Sequence, residues 1–274
     1  MELIDFDARF NDALNEWMEK NRKKFKRPED MEDAAPEFYM EWLETPADWL
    51  GGAAPGTYFE RYADADELVR LLKDYVAQEV PVPDPLLDRI GEMGSEEPVL
   101  QLLRDQSAPC EARMHAVELL RQLESTAPMV DYIRWQVERS EEEELLDNAL
   151  ESLRGMGDVV RRPAEIAFRA ADDAGKEALL DVLSDFPSSD EVLQFALKQF
   201  KEHPDKRALY AGYLGKLGDD RALEPLLDAA EGEDISYIDF IEVRNAIERL
   251  GGEAPVRDFS GDPTYAAVKR LQKR

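Results

Sequence analysis

A regularly spaced set of helix endings is the feature that most constrains how this chain folds. Six segments carry apolar residues in the last turns of an expected helix and then a small residue or a turn. They end at positions 94, 124, 157, 187, 218 and 251, so successive endings are 30, 33, 30, 31 and 33 residues apart. This interval fits one helical hairpin, and a nearly constant interval is typical of repeat proteins.

The first helix of each unit is visible as apolar residues three and four positions apart. The chain contains no alternating run of β-branched residues that would predict a strand. A single hairpin cannot bury its apolar stripe alone, and stacked neighbours bury it together. The sequence therefore predicts an all-α fold, an α-solenoid of about six helical hairpins over residues 64–255, followed by a C-terminal helical tail at 256–274.

Residues 1–63 fall outside the repeat. Apolar spacing predicts one amphipathic helix over residues 2–26, and the acidic, proline-containing stretch 28–36 predicts a linker. Thr45 before Pro46 predicts the N-terminal cap of a further short helix. The segment 36–62 is the most aromatic part of the chain. We expect residues 1–63 to cap the open end of the solenoid, and a binding groove is the alternative.

A basic cluster ends the first expected helix and stands out in an acidic chain. Cations near a helix C-terminus complement the helix dipole, so capping and ion pairing are the favoured interpretation. A nucleic-acid or nuclear-targeting patch is the alternative. The cluster comprises Lys20, Arg22, Lys23, Lys24, Lys26 and Arg27.

The charge balance restricts the classes of partner. The chain has 61 acidic and 34 basic residues and a net charge of −27, and the acid is spread along it rather than confined to a tail. Such a field repels nucleic-acid phosphates and anionic lipid, so neither nucleic acid nor a membrane is expected as a partner. It suits a basic protein partner, although acidic surfaces are also common in soluble cytoplasmic proteins. We expect a cytoplasmic location.

Residues able to carry chemistry are few. Cys110 is the single cysteine, which excludes an intrachain disulfide and a cysteine-based zinc site. The two histidines, His115 and His203, do not form a metal-ligating pattern, and no glycine-rich phosphate loop is present. We therefore expect no catalytic residues, no cofactor and no metal site, and the prediction is that the chain is not an enzyme.

The segment Leu217–Asp228 resembles a bacterial HEAT-like repeat of the type also found in phycobilisome-lyase-like proteins. Asp158 and Asp219 follow their glycines as in that pattern. A basic residue eleven positions before the unit ending also matches it, at Arg113, Lys176 and Arg207. The resemblance implies a HEAT-like solenoid in which these acidic and basic positions pair between neighbouring repeats. It implies a fold and not a function.

The favoured function is an acidic protein-interaction module, a scaffold or adaptor that binds a protein on the concave face lined by the second helices. An inhibitory or immunity-type protein that masks a basic partner is one alternative, and a lyase-like or other enzyme, by resemblance alone, is another. The candidate partner-binding residues are aromatic residues and one acid, Trp42, Trp49, Tyr58, Tyr62, Tyr210, Tyr213, Tyr237 and Asp239.

Overall fold

The computed structural model describes residues 3–22, 24–25, 27–187 and 189–271. Over these residues the chain is all-helical, with sixteen α-helices, five 3₁₀ helices and no strand. The predicted all-α class is therefore confirmed. None of the helices in these ranges is both long and apolar enough to cross a membrane.

The described residues between 3 and 61 include three α-helices and two 3₁₀ helices. The α-helices are α1 (Phe6–Asn21), α2 (Pro28–Glu32) and α3 (Ala35–Glu44). The 3₁₀ helices are Asp48–Leu50 and Pro55–Arg61.

Helix α1 is shorter than the predicted helix over residues 2–26. It begins at Phe6 because the Asp5 side chain accepts a hydrogen bond from the Ala8 backbone N–H at 2.8 Å, which caps the helix. Residues 2, 23 and 26 of the predicted range lie outside the described residues.

Two other local predictions for this region were wrong. The expected linker over residues 28–36 contains α2, which has Pro28 at a first-turn position where its missing N–H costs nothing. Thr45 ends α3 rather than starting a helix. Its hydroxyl donates to the Glu41 carbonyl at 2.7 Å and so satisfies an acceptor of the last turn.

Twelve helices follow, and they fall two to each predicted unit. They are α4 (Ala65–Ala77), α5 (Asp84–Met93), α6 (Glu96–Arg104), α7 (Cys110–Gln122), α8 (Met129–Glu138), α9 (Glu143–Gly155), α10 (Arg161–Ala170), α11 (Asp173–Leu183), α12 (Asp190–Glu202), α13 (Arg207–Leu217), α14 (Leu223–Glu231) and α15 (Tyr237–Arg249). The last helix is α16 (Pro263–Leu271). Short 3₁₀ helices precede α10, α13 and α14.

The predicted unit endings share a backbone conformation. Five of the six positions have positive φ, which reverses the chain after a helix. They are Gly94 (60°), Glu124 (52°), Gly157 (65°), Gly218 (68°) and Gly251 (79°). The sixth position is a proline, whose ring restricts φ to negative values.

The chain divides into two compact units. One consists of Met1–Pro128 with Glu142–Ser152, and the other of Met129–Glu141 with Leu153–Arg274. In the first unit, α4 packs on α5, α6 and α7, and α5 also packs on α7. The core side chains of these helices are fully or almost fully buried and include Leu68, Leu72, Leu86, Ile90, Leu103 and Leu120.

In the second unit, α8 packs on α10 and α11, and α13 packs on α12 and α15. The contact between α13 and α15 is unusually close at Gly215. A Cβ atom added there would lie 2.9 Å from the Ala246 Cα atom, a distance that real side chains do not adopt. Glycine at this position therefore sets how closely the two helices approach.

Two glycines of α13 give a matched test of this approach. Gly212 has only open space around it, so we expect Gly212→Ala to stabilise the protein by roughly 0.5–1 kcal/mol through helix propensity. Gly215→Ala should destabilise it by about 1–3 kcal/mol because the added methyl group overpacks the interface. Urea unfolding of both variants measures the difference. Equal stability of the two variants would contradict the close approach of α13 and α15 at Gly215.

Candidate protein-interaction surface

A continuous cluster of aromatic rings lies in the first unit and begins at Phe6 of α1. The Phe6 ring is buried, and its centroid lies 5.5 Å from that of Trp49, 5.7 Å from Tyr58 and 5.6 Å from Phe59. Phe59 in turn contacts Tyr62 at 6.2 Å. Ring pairs at these distances add packing energy beyond the burial of their area.

One turn along α1, Phe10 extends the cluster to α3. Its ring centroid lies 4.9 Å from Tyr39 and 5.3 Å from Trp42. Trp42 also stacks on Trp49 at 6.4 Å, which joins the two halves of the cluster. The helical spacing of Phe6 and Phe10 thus places both rings on the face of α1 that meets the aromatic segment.

The structure brings the four predicted aromatic residues of this region together. Trp42, Trp49, Tyr58 and Tyr62 are all half-buried. Arginine side chains lie over two of the rings, with the Arg9 guanidinium 5.4 Å from the Trp49 centroid and that of Arg61 3.8 Å from the Tyr58 centroid. These four rings therefore support the fold of the N-terminal region and expose only part of their surface.

Carboxylates border this aromatic cluster. The Tyr39 hydroxyl donates to the Asp84 Oδ2 atom at 3.1 Å, which connects α3 to the first residue of α5. Asp88 and Glu92 follow Asp84 at intervals of four residues, so all three acids lie along one face of α5. Asp7 of α1 is close enough to Asp84 for their charges to interact. We call Asp7, Tyr39, Asp84 and Asp88 the acidic surface.

The electrostatics of the acidic surface are unfavourable for its own charges. Partial burial and the negative charges of Asp5 and Asp84 raise the pKa of Asp7 above its usual value. Partial burial, Asp84 and Glu92 do the same for the pKa of Asp88. Burial and the neighbouring Asp84 raise the pKa of the Tyr39 hydroxyl to about 12. Partial burial is the largest cause of each shift, and the neighbouring negative charges add to it.

The acids of α11 in the second unit are balanced instead. Asp173 pairs with Lys198 at 3.4 Å, Glu177 with Lys206 at 2.5 Å, and Asp181 with Arg154 at 3.3 Å. Helix α11 is a second helix of a predicted hairpin, as α5 is. Among the described residues Asp84 and Asp88 of α5 have no ion pair, whereas Glu92 of the same helix pairs with Arg89 at 3.5 Å. Cations therefore balance Asp84 and Asp88 less than they balance the acids of α11.

Sequence reasoning missed the acidic surface. Acids are so frequent in this chain that no single pair was informative, and Asp84, Asp88 and Glu92 were not recognised as a row. The four-residue spacing of these acids is a sequence signal for unbalanced charge, because like charges four residues apart on a helix repel one another. The convergence of Asp7 and Tyr39 on that row depends on tertiary packing and has no local signal.

The predicted candidates on α13 are less accessible. Tyr210 is fully buried, and its ring centroid lies 6.3 Å from that of Tyr213. Burial, and then the neighbouring Glu177, raises the pKa of Tyr210. Tyr213 is half-buried, and burial together with Asp181 raises its pKa as well. The expectation of exposed tyrosines on α13 does not hold for Tyr210, which is a core residue.

The candidates on α15 also have structural contacts. The Ser236 hydroxyl accepts a hydrogen bond from the Asp239 backbone N–H at 3.2 Å and donates to the Asp239 carboxylate at 2.7 Å, which caps the helix. Tyr237 packs edge-on against Phe259 and Tyr265, at 5.4 and 5.0 Å between centroids. Both candidates therefore hold α15 and the C-terminal segment in place.

The remaining reactive side chains have ordinary surroundings. Burial, and then the nearby Glu142, raises the pKa of the Cys110 thiol, which disfavours the reactive thiolate. Burial lowers the pKa of His115. Within the ranges that the structure describes, no group of three or more His, Cys, Asp or Glu side chains is placed to hold a metal ion.

Two members of the basic cluster pair with acids one turn away. Lys20 contacts Glu16 at 3.4 Å, and Arg27 contacts Asp30 at 2.5 Å. These pairs agree with the ion-pairing interpretation of the cluster. Lys23 and Lys26 lie outside the described residues.

No protein family model, curated protein or solved structure matches this chain. The function is therefore argued from the geometry and charge of the chain itself.

The raised pKa of Asp88 gives a test of the acidic surface. A carboxylate whose pKa is raised by folding destabilises the folded state at neutral pH, and this cost disappears as the pH falls through the raised pKa. We expect Asp88→Asn to stabilise the protein at pH 7 by a few tenths of a kcal/mol, since water screens an exposed charge. Thermal unfolding at pH 7 and at about pH 4 measures the difference. A gain that does not shrink at the lower pH would contradict this account.

Proposed function

We propose that this chain is an acidic protein-interaction module that binds a basic protein partner through the acidic surface and catalyses no reaction. The observation that carries the proposal is the excess negative charge of Asp7, Asp84 and Asp88 around the half-buried Tyr39. A cation from a partner would relieve repulsion that the chain itself leaves uncompensated.

The neighbouring groups favour a lysine or arginine side chain over a small inorganic cation. Tyr39 stacks on Trp42 with 6.0 Å between centroids, and aromatic rings of this kind attract cationic side chains. An aromatic centre with a polar rim is typical of protein interfaces.

We further propose that the scaffold is a HEAT-like α-solenoid of six hairpins capped by residues 1–63. The two helices in each predicted unit and the positive φ values at the endings support this. The cap is supported by the 3₁₀ helix Pro55–Arg61, which packs on α5, and by the Tyr75 hydroxyl, which donates to the Ile4 carbonyl at 3.1 Å. The acidic surface would then include a second helix, where a concave binding face is expected.

An inhibitory or immunity-type protein is the second candidate, and the net charge of −27 favours it. Such a protein would occupy the nucleic-acid site of a basic partner by presenting carboxylates in place of phosphates. The two functions share the acidic surface. They differ in whether binding abolishes the partner's own activity on nucleic acid.

Binding of an arginine-rich peptide tests the proposal, with tryptophan fluorescence as the readout. At about 0.15 M salt we expect Asp88→Lys to weaken the affinity roughly tenfold, because it replaces an attraction by a repulsion within the surface.

Glu224→Lys is the matched control, since it changes the net charge equally at an exposed position of α14. It should leave the affinity within about twofold, because Glu224 is not part of the acidic surface. Equal weakening by the two variants would mean that the peptide responds to net charge alone, and the acidic surface would then not be the binding site.

A further inference from the structure

A basic and apolar stripe lies on α10 of the second unit. Val159 and Ile166 have 54% and 56% of their surfaces exposed, and Arg162 between them is also exposed. The 3₁₀ helix Gly157–Val160 leads directly into α10, so spacings of three and four residues place these side chains along one face. We call Val159, Arg162 and Ile166 the α10 stripe.

Arg162 differs from the other arginines of its helix. Arg161 pairs with Glu165 at 3.1 Å, and Arg169 pairs with Glu191 at 2.6 Å. Among the residues that the structure describes, the Arg162 side chain has no hydrogen bond or ion pair. Helix α10 contains three arginines and one glutamate, which makes it basic within a chain of net charge −27.

The α10 stripe has the composition of a docking surface. Arginine is enriched at the centres of protein interfaces, where apolar neighbours exclude water from its charge. Two exposed aliphatic side chains flank a cation that has no partner in the part of the chain that the structure describes. The complementary surface needs carboxylates beside a partly exposed apolar group, and the acidic surface has these in Asp84, Asp88 and the half-buried Tyr39.

We propose that copies of this chain associate head to tail, with the α10 stripe of one molecule bound to the acidic surface of the next. Arg162 lies against Asp84 and Asp88 of the neighbouring copy, and Val159 and Ile166 cover the exposed part of its Tyr39 ring. A symmetric contact between two stripes is disfavoured because it would place Arg162 against Arg162. The proposal rests on the proposed function in that it identifies the cationic group bound by the acidic surface as Arg162 of a second copy.

A heterologous contact of this kind leaves one free surface at each end, so association continues beyond a dimer or closes into a ring. At about 0.15 M salt the Debye length is near 8 Å, which screens the overall repulsion between copies but not the contacts within the interface. Sedimentation of the full chain over a concentration series should therefore show species larger than a dimer.

Two variants remove one surface each. Asp88→Lys disables the acidic surface and keeps the Tyr39–Asp84 hydrogen bond, while Arg162→Ser disables the stripe. Each variant alone should associate at least tenfold more weakly than the wild type. A one-to-one mixture should form a dimer and stop there, because the intact stripe of the first variant meets the intact acidic surface of the second.

Glu224→Lys and Lys201→Ser are the controls, since they make the same charge changes at exposed positions elsewhere. Both should associate as the wild type does.

A wild type that stays monomeric across the series, or single variants that associate like the controls, would overturn the head-to-tail proposal. If the arginine-rich peptide still binds the wild type and not Asp88→Lys, the proposed function survives that outcome. If instead the wild type and Asp88→Lys bind the peptide equally while the wild type still self-associates, the acidic surface binds a second copy and not a separate basic protein.

Discussion

Mutual burial of apolar helix faces is the interaction on which the structure depends between residues 65 and 249. Each of these helices has between nine and thirteen residues, whereas an isolated helix shorter than about 12–15 residues is marginal in water. Each buried leucine or isoleucine contributes roughly 1.5–3 kcal/mol when it leaves water. The helices are therefore stable because they pack together, and surface positions such as Arg162 remain free for other roles.

The parts of the fold that could be predicted from the sequence are those with a local physical cause. Apolar spacing and glycine at helix ends are local patterns of a few residues, so the sequence predicts the twelve helices and the turn at Gly218. Thr45 was misread because its hydroxyl caps a carbonyl at the end of α3, and a threonine before proline also suits a helix start. Solenoid stacking remains a proposal, because it depends on contacts between distant segments.

The candidate site was less predictable than the fold. Of the aromatic residues predicted to bind a partner, Tyr210 is a core residue and Tyr237 holds the C-terminal segment. A ring buries well, so the same chemistry serves packing and binding. Unbalanced charge is the more selective indicator, and it emerges only when the structure shows which carboxylates have cations beside them. The difference between Asp88 of α5 and Asp181 of α11 is invisible in composition.

The route of the chain through its two compact units has a consequence for dissecting the protein. The chain leaves the first unit after Pro128, returns for Glu142–Ser152, and leaves again. A fragment that stops at residue 128 lacks Glu142–Ser152, which belongs to its unit, and a fragment that starts at residue 129 carries that segment without the rest of the first unit. Neither half can be produced intact by one cut in the gene. During synthesis, likewise, the first unit is incomplete until residue 152 has left the ribosome.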